Sequence, residues 1–163
     1  MSADRIAVMR AGQLVQIGRP ADIYEAPNSR YVADFIGDVN LFEAHVTEDD
    51  GAIIRLTSPE APSGLEAIEE AEVPPGSTAW LAVRPEKMLV HLDPPPPGPN
   101  RIEGKVADIG YLGDWTTYLV ELPGGRTIRA ARANASRVVE RPVDWDDQVW
   151  LTFAPDSAVV LTK

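Results

Sequence analysis

The 163 residues contain no cysteine, and basic residues are scarce: 15 Lys and Arg stand against 25 Asp and Glu. Without cysteine, the chain forms neither a disulfide framework nor a thiolate metal site. The formal net charge of -10 repels phosphate backbones and anionic membranes, so we expect no nucleic-acid partner. No apolar run approaches the roughly 20 residues of a membrane span, and no secretory signal opens the chain. These absences predict a cytoplasmic protein without direct membrane insertion.

Catalytic and metal-binding motifs are also missing. The sequence contains no GxxxxGK[ST] phosphate loop, no GxSxG elbow and no HExxH pair. The only histidines, His45 and His91, fall at alternating positions of predicted strands, where a surface role is favoured. The acidic run of Glu66, Glu69, Glu70 and Glu72 is typical of a solvated face. We therefore predict no catalytic residue, no cofactor and no metal site.

The first 39 residues predict a hairpin followed by two helices. Apolar strands at 5–10 and 14–17 flank a turn that contains Gly12. Pro20 suits the first turn of a helix, because its missing N–H would be unpaired there, and Pro27 ends that helix.

A second helix is predicted next, with apolar residues at helical spacing. Asn28 or Ser29 can cap its N-terminus, and Gly37 is placed to close it in the left-handed conformation. The apolar positions are Tyr31, Val32, Phe35 and Ile36.

From Asn40 the apolar period changes to two, and turn signals separate many short strands. This pattern predicts a mainly β, OB-like small barrel or sandwich over 40–163. Residues 65–73 fit a helix turn or an edge strand, and their short length before Pro74 favours the strand. The proline run 94–97 predicts an extended loop or an internal linker.

The stretch DIGYLGDWTTY indicates a bulge or a sharp bend. Gly110 and Gly113 surround two large residues, and Asp114 and Thr116 lead into the next strand. The backbone there approaches a neighbouring strand, a ligand or a partner chain, and the spacing favours the neighbouring strand.

The stretch AVRPEKM offers a similar choice. Arg84 and Glu86 flank Pro85, which breaks the strand. They form either a structural pair at the break or polar groups that face a partner, and the structural interpretation is favoured.

Taken together, these motifs resemble a known family. DRIAVMRAGQLVQIGRPADIYEAPNSRYVADFIGDVNLF resembles the end of the ATP-binding domain in ABC importer subunits. Its last part, FIGDVNLF, is more similar to polyamine, iron and related importers than to sugar importers. Three later segments resemble the transport-associated OB-like (TOBE) domain of those subunits: LAVRPEKMLV, IEGKVADIGYLGDWTTYLVEL and DQVWLTFAPDSAVVL. Arg19 departs from the pattern, since the family usually has a small capping residue before this proline.

The resemblance implies a C-terminal piece that lacks the ATP-binding motifs. We expect residues 1–39 to be the remnant of an ATP-binding domain and residues 40–163 to be a non-catalytic regulatory and dimerisation domain. The implied partners are the rest of the ATPase, its homodimer mate and the membrane permease subunits. Arg84, Glu86 and the 110–116 turn are then interface or structural positions.

Two other classes remain open. A free-standing OB-like domain can bind oxyanions through backbone N–H groups at turns. Such binders are usually built as repeats, and we recognise no internal repeat in the sequence. An OB-fold binder of single strands needs a basic groove with aromatic platforms, which the acidic composition disfavours.

Overall fold

The computed structural model describes residues 4–69, 72–134 and 143–163. Two helices and twelve strands form in these ranges. The bounds are β1 (Ile6–Arg10), β2 (Gln13–Gly18), α1 (Pro20–Glu25), α2 (Arg30–Ile36), β3 (Asn40–Asp49), β4 (Ile53–Ser58), β5 (Ala61–Ile68), β6 (Thr78–Val83), β7 (Leu89–His91), β8 (Arg101–Leu112), β9 (Trp115–Glu121), β10 (Thr127–Ala133), β11 (Gln148–Thr152) and β12 (Ala158–Leu161).

The predicted hairpin and both helices are present. α1 begins at Pro20, and Arg19 before it makes no side-chain capping bond. Of the two candidate caps for α2, the structure uses Ser29, whose Oγ accepts a hydrogen bond from the backbone N–H of Val32 at 3.3 Å. Because this bond satisfies one of the free N–H groups at the helix start, the serine fixes where α2 begins.

The prediction for Gly37 is wrong. Its φ of 173° is extended backbone, so α2 does not end in a left-handed glycine cap. The reason is that Arg84, at the end of β6, donates hydrogen bonds to the main-chain oxygens of Ala33 and Gly37. The Arg84 side chain thus donates the hydrogen bonds that the carbonyls at the end of α2 would otherwise receive in a left-handed cap.

The two ambiguous stretches are resolved in part. The chain forms β5 up to Ile68, which confirms a strand at the start of 65–73, while Glu70 lies outside the described residues. The proline run 94–97 has no regular structure and connects β7 to β8. A proline cannot donate to a ladder, so this connection stays outside both sheets.

Two five-stranded antiparallel sheets form the β part of the chain. Their strand orders are β12-β6-β3-β4-β5 and β10-β9-β8-β11-β7. One continuous core of buried apolar side chains draws on both sheets, with Phe42, Leu81, Ile102 and Leu151 among its fully buried members. The prediction of a mainly β, OB-like fold with two preceding helices is confirmed.

The β part of the chain consists of two repeats of one unit, β3–β7 and β8–β12, which we call the first and second halves. In each half the first strand is central, the second and fourth strands flank it, and the third lies at an edge. The fifth strand is exchanged, because β7 pairs with β11 and β12 pairs with β6. Each half therefore completes the sheet of the other.

The repeat is visible in the sequence once the topology is known. NLFEAHV at 40–46 corresponds to NRIEGKV at 100–106, and WLAVRPEKMLV at 80–90 corresponds to WLTFAPDSAVV at 150–160. The interpretation that no repeat exists was therefore wrong. The halves share mainly apolar character at inward positions, and that requirement tolerates many side chains.

Two buried asparagines tie the halves together reciprocally. Asn40 exchanges two hydrogen bonds with the backbone of Arg129 in the second half, at 2.7 and 2.8 Å. Asn100 exchanges two with the backbone of Glu66 in the first half, at 2.9 and 2.8 Å. Each amide thus acts as one further rung beside a strand of the opposite half.

Candidate functional site

A buried arginine joins the helices to the β part of the chain. Arg84 follows β6 and is only 6% exposed. Its Nη1 donates to the main-chain oxygens of Ala33, Gly37 and Asp38 at 2.9, 3.1 and 3.0 Å. Its Nη2 donates to the main-chain oxygen of Tyr24 at 3.1 Å. One guanidinium therefore serves four carbonyls that belong to the ends of two helices.

The position of these carbonyls explains why a cation is stable there. The last four C=O groups of a helix lack partners inside the helix and carry partial negative charge. Tyr24 lies in the last turn of α1, and Ala33 lies in the last four residues of α2. Arg84 compensates both helix ends at once and fixes them against the end of β6.

Tyr24 closes the junction on its other side. The Arg84 Cζ lies 4.2 Å from the centroid of the Tyr24 ring, within the range of a cation–π contact. The Tyr24 hydroxyl donates to Glu86 Oε1. Burial, followed by this hydrogen bond and the Glu86 charge, raises the pKa of Tyr24 to about 12. The predicted pair, Arg84 and Glu86, is thus connected through Tyr24, in an arrangement that we call the Arg84 junction.

α2 also covers the outer face of the first half. The Arg30 guanidinium lies 3.6 Å from the centroid of the Trp80 ring. The Arg30 backbone N–H donates to the main-chain oxygen of Lys163 at 2.9 Å, and Ala33 packs in a cluster with Ala82. The helical segment therefore contacts the sheet of β6 and β12 through Arg30 and Ala33, in addition to the Arg84 junction.

The 110–116 stretch forms the tip of the β8–β9 hairpin. Gly113 and Asp114 form its two-residue turn, and Gly113 has a φ of 61°, as a type II′ turn requires at its first position. Gly110 lies within β8 opposite Thr117, and a Cβ added there would meet no atom within 4 Å. The sharp bend expected between the two glycines thus lies at Gly113, and Gly110 is not part of it.

Asn134 holds this tip in one conformation. Its side chain donates to the Gly113 oxygen at 2.9 Å and accepts from the buried Thr116 hydroxyl at 2.6 Å, while its N–H donates to the Asp114 oxygen at 2.7 Å. Three large apolar side chains stand exposed around the tip, namely Tyr111 at 67%, Leu112 at 68% and Trp115 at 44%. The tip therefore presents a pre-organised apolar surface.

Tyr24 and the two asparagines were missed in the sequence. No local signal links Tyr24 to a strand 60 residues later, because its partner Arg84 binds a main-chain oxygen. Asn40 and Asn100 could have been found, since each is followed by Glu three residues later and Val six residues later.

Each of the two histidines lies beside a threonine side chain. His91 Nε2 and Thr152 Oγ1 are 2.7 Å apart, and His45 Nδ1 lies 3.4 Å from Thr78 Oγ1. Within the described residues, no group of three or more His, Asp or Glu is placed to hold a metal ion. No helix in those ranges is long and apolar enough to cross a membrane.

Comparison with known proteins identifies the family of residues 81–161. Residues 81–161 match the TOBE domain family. The chain carries a TOBE domain. It is 43% identical over 162 residues to the putrescine transport ATP-binding protein PotG of Escherichia coli. This alignment covers 98% of this chain and 42% of PotG. It is 38% identical over 163 residues to the spermidine/putrescine import ATP-binding protein PotA of Nitrosomonas eutropha, with 98% and 44% coverage.

The resemblance to ATP-binding subunits of ABC importers is therefore confirmed. The chain spans less than half the length of these curated relatives. Among solved structures, the cytoplasmic molybdate-binding protein ModG, with molybdate bound, matches with a TM-score of 0.62 at 15% identity. That match covers 74% of this chain and 94% of ModG, and it shows a shared OB-like fold.

Proposed function

We propose that the chain is a non-catalytic regulatory and assembly module of the ATP-binding subunit of an ABC importer, of the polyamine type. The relatives that cover 98% of the chain are ATP-binding proteins of putrescine and spermidine/putrescine systems, which supports this class. Residues 1–39 are the end of the ATP-binding domain, and residues 40–163 are the regulatory domain. The module works on the cytoplasmic side of the membrane, against the permease subunits.

The Arg84 junction carries this proposal. It makes four hydrogen bonds from a side chain of the TOBE domain to carbonyls of the helical segment. A displacement of the β part is therefore transmitted to α1 and α2 through a stiff connection. A ligand or partner that binds one placement of the two segments better than another shifts the population toward it, and so biases closure of the ATP-binding domain.

The apolar tip of the β8–β9 hairpin is the surface through which the module meets its homodimer mate. Tyr and Trp are enriched at interface positions that contribute most to binding. The bonds from Asn134 hold this tip in place before any contact, which lowers the entropy cost of association. We infer that Tyr111, Leu112 and Trp115 lie in this interface.

A chimera tests the function. The corresponding segment of Escherichia coli PotG is replaced by this chain, and putrescine uptake and ATPase activity are measured in a strain without PotG. We expect the chimera to restore uptake and the Arg84→Met chimera, at equal abundance, to lose most of it. An Arg84→Met chimera as active as its parent contradicts the role of the junction.

The non-catalytic part of the proposal has a separate test. The purified 163-residue chain is incubated with Mg-ATP, and phosphate release is followed over hours. We expect no release above the buffer control. This part of the proposal is contradicted if ATP hydrolysis co-purifies with the chain through two orthogonal columns and scales with the concentration of the chain.

The second candidate is a small-oxyanion binder, and the internal repeat favours it, because oxyanion binders of this fold are expected to be repeats. Thermal unfolding with molybdate, sulfate, phosphate and spermidine separates the two functions. A ligand that binds the native state raises the midpoint, by an amount that grows with its concentration. If the midpoint rises with an oxyanion and not with spermidine, the oxyanion-binding function is favoured over the regulatory one.

A further inference from the structure

The two halves place two tryptophans at equivalent positions, and a cation stacks on only one of them. Trp80 lies opposite Glu43 in the first half, and Trp150 lies opposite Glu103 in the second. The Trp80 ring holds the guanidinium of Arg30 at 3.6 Å. Among the described residues, no cation–π contact involves Trp150.

A cavity lies beside Trp150. Its volume is about 410 Å³, within the range of small-molecule sites. It lies between the β4–β5 turn of one half and the β9–β10 turn of the other. Its lining includes Glu60, Ser63, Arg101, Glu103, Pro123 and Trp150.

The charged side chains of this cavity differ in how many hydrogen bonds and ion pairs they make within the protein. Glu60 is held by Arg126 through two hydrogen bonds of 2.8 and 2.9 Å. Glu103 accepts one hydrogen bond, at 3.0 Å, from the Gln148 side chain. Arg101 makes no ion pair with any described residue. Glu103 and Arg101 therefore have capacity left for a ligand.

We propose that this cavity binds a guanidino acid of the free arginine type, independently of the function proposed above. The guanidinium of the ligand stacks on Trp150 and pairs with Glu103, as Arg30 stacks on Trp80 in the first half. The carboxylate of the ligand pairs with Arg101, which replaces Leu41 at the corresponding position of the first half. The cavity thus reads both ends of the ligand.

Three probes separate these contacts. The ¹⁵N-labelled 163-residue chain is titrated with L-arginine, with agmatine, which lacks the carboxylate, and with L-ornithine, which lacks the guanidinium. The readout is the indole N–H signal of Trp150, assigned with Trp150→Phe. We expect saturable binding of L-arginine and binding about tenfold weaker for the other two, because agmatine loses the carboxylate pair with Arg101 and ornithine loses the planar group that stacks on Trp150 and pairs in bidentate form with Glu103. The tripeptide Gly-Gly-Arg distinguishes a free amino acid from a protein C-terminus, and binding of L-arginine in preference to it is expected.

Three variants make the test specific. Glu103→Gln should weaken L-arginine by about tenfold, while Glu43→Gln, the matched change in the first half, should leave it unaltered. Arg101→Leu should reverse the preference so that agmatine binds better than L-arginine. The proposal is overturned if L-arginine causes no saturable shift at Trp150, if Glu103→Gln and Glu43→Gln behave alike, or if Arg101→Leu keeps the wild-type order.

Discussion

The two halves of the TOBE-containing chain share a topology but differ in what covers them. In the first half the turn after β6 contains Arg84, which is buried under the helical segment. In the second half the corresponding residue after β11 is Ala154, which is exposed. The strand exchange and the core form in both halves, so the β fold does not depend on the arginine. This difference indicates that Arg84 attaches the two helices to the β part of the chain.

The largest expected effect breaks this difference directly. Arg84→Met keeps the aliphatic volume but leaves four carbonyls without their donor, which should lower the free energy of unfolding of the helical segment by about 3 kcal/mol. Hydrogen exchange should accelerate at the amides of α1 and α2 and stay unchanged in β8. The control is Ala154→Arg, which should change stability by less than about 0.5 kcal/mol. Equal protection of α1 and α2 in wild type and Arg84→Met contradicts the assignment.

The reciprocal asparagines test whether the halves are equivalent in energy as well as in shape. Asn40→Ala and Asn100→Ala each leave a partly buried backbone N–H and C=O, those of Arg129 and Glu66, without a partner, so each should cost about 2 kcal/mol in urea unfolding. The two losses should agree within about 0.5 kcal/mol, and the double variant should be nearly additive. A loss confined to one asparagine means that the two halves are not tied symmetrically.

A third prediction concerns the two equivalent residues Ala44 and Gly104. A Cβ on Gly104 would lie 2.5 Å from a methyl of Val120 and 2.9 Å from the Glu121 oxygen. Gly104→Ala should therefore cost about 2 kcal/mol by overpacking. Ala44→Gly, its mirror change, should cost about 1 to 2 kcal/mol through backbone entropy and the loss of a buried methyl group. Urea unfolding measures both, and a Gly104→Ala protein as stable as wild type shows that β9 moves away without cost.

The smallest expected effect sharpens the description of the Arg84 junction. Tyr24→Phe removes the hydrogen bond to Glu86 and should cost about 1 kcal/mol near neutral pH. The folded pKa of Tyr24, about 12, lies above the ordinary value of 10.0. The folded state therefore holds the proton more tightly, and this stabilisation, complete below pH 10, is lost as the pH rises from 10 toward 12.

Urea unfolding at pH 9 and pH 11 checks this dependence. Wild type should lose more stability between these two values than Tyr24→Phe does, because the variant has no phenol at position 24 to ionise. Parallel pH profiles for the two proteins mean that Tyr24 does not control this window.

Local features of the chain were predictable because they depend on short-range rules. The alternation after Asn40, the prolines at 20 and 27 and the cap at Ser29 each act within a few residues. The ordered motifs of residues 4–42 identified the family for a similar reason, since they require no knowledge of which strands meet. The 39/40 domain boundary and the interface roles of the 110–116 tip stay predictions.

The candidate site was predictable only in part. Arg84 and Glu86 stood out because they flank a proline that breaks a strand. The groups that Arg84 binds could not be predicted, because they are main-chain oxygens, which are present at every residue and give no signal in the sequence. The same reason explains the wrong prediction at Gly37. The Arg84 side chain, 47 residues away, donates a hydrogen bond to the Gly37 oxygen, so no left-handed cap is needed there.

By itself, the sequence determined the class of the protein, the strand-rich pattern and the absence of catalytic motifs from this chain. The tertiary structure alone decided the exchange of β7 and β12. These strands of three and four residues show the same local pattern whichever sheet they join. The choice between the sheets lies in long-range packing, because Val90 of β7 and Val160 of β12 both pack against the one core shared by both halves. The burial of Arg84 follows from the same packing, which brings two helix ends to the turn after β6.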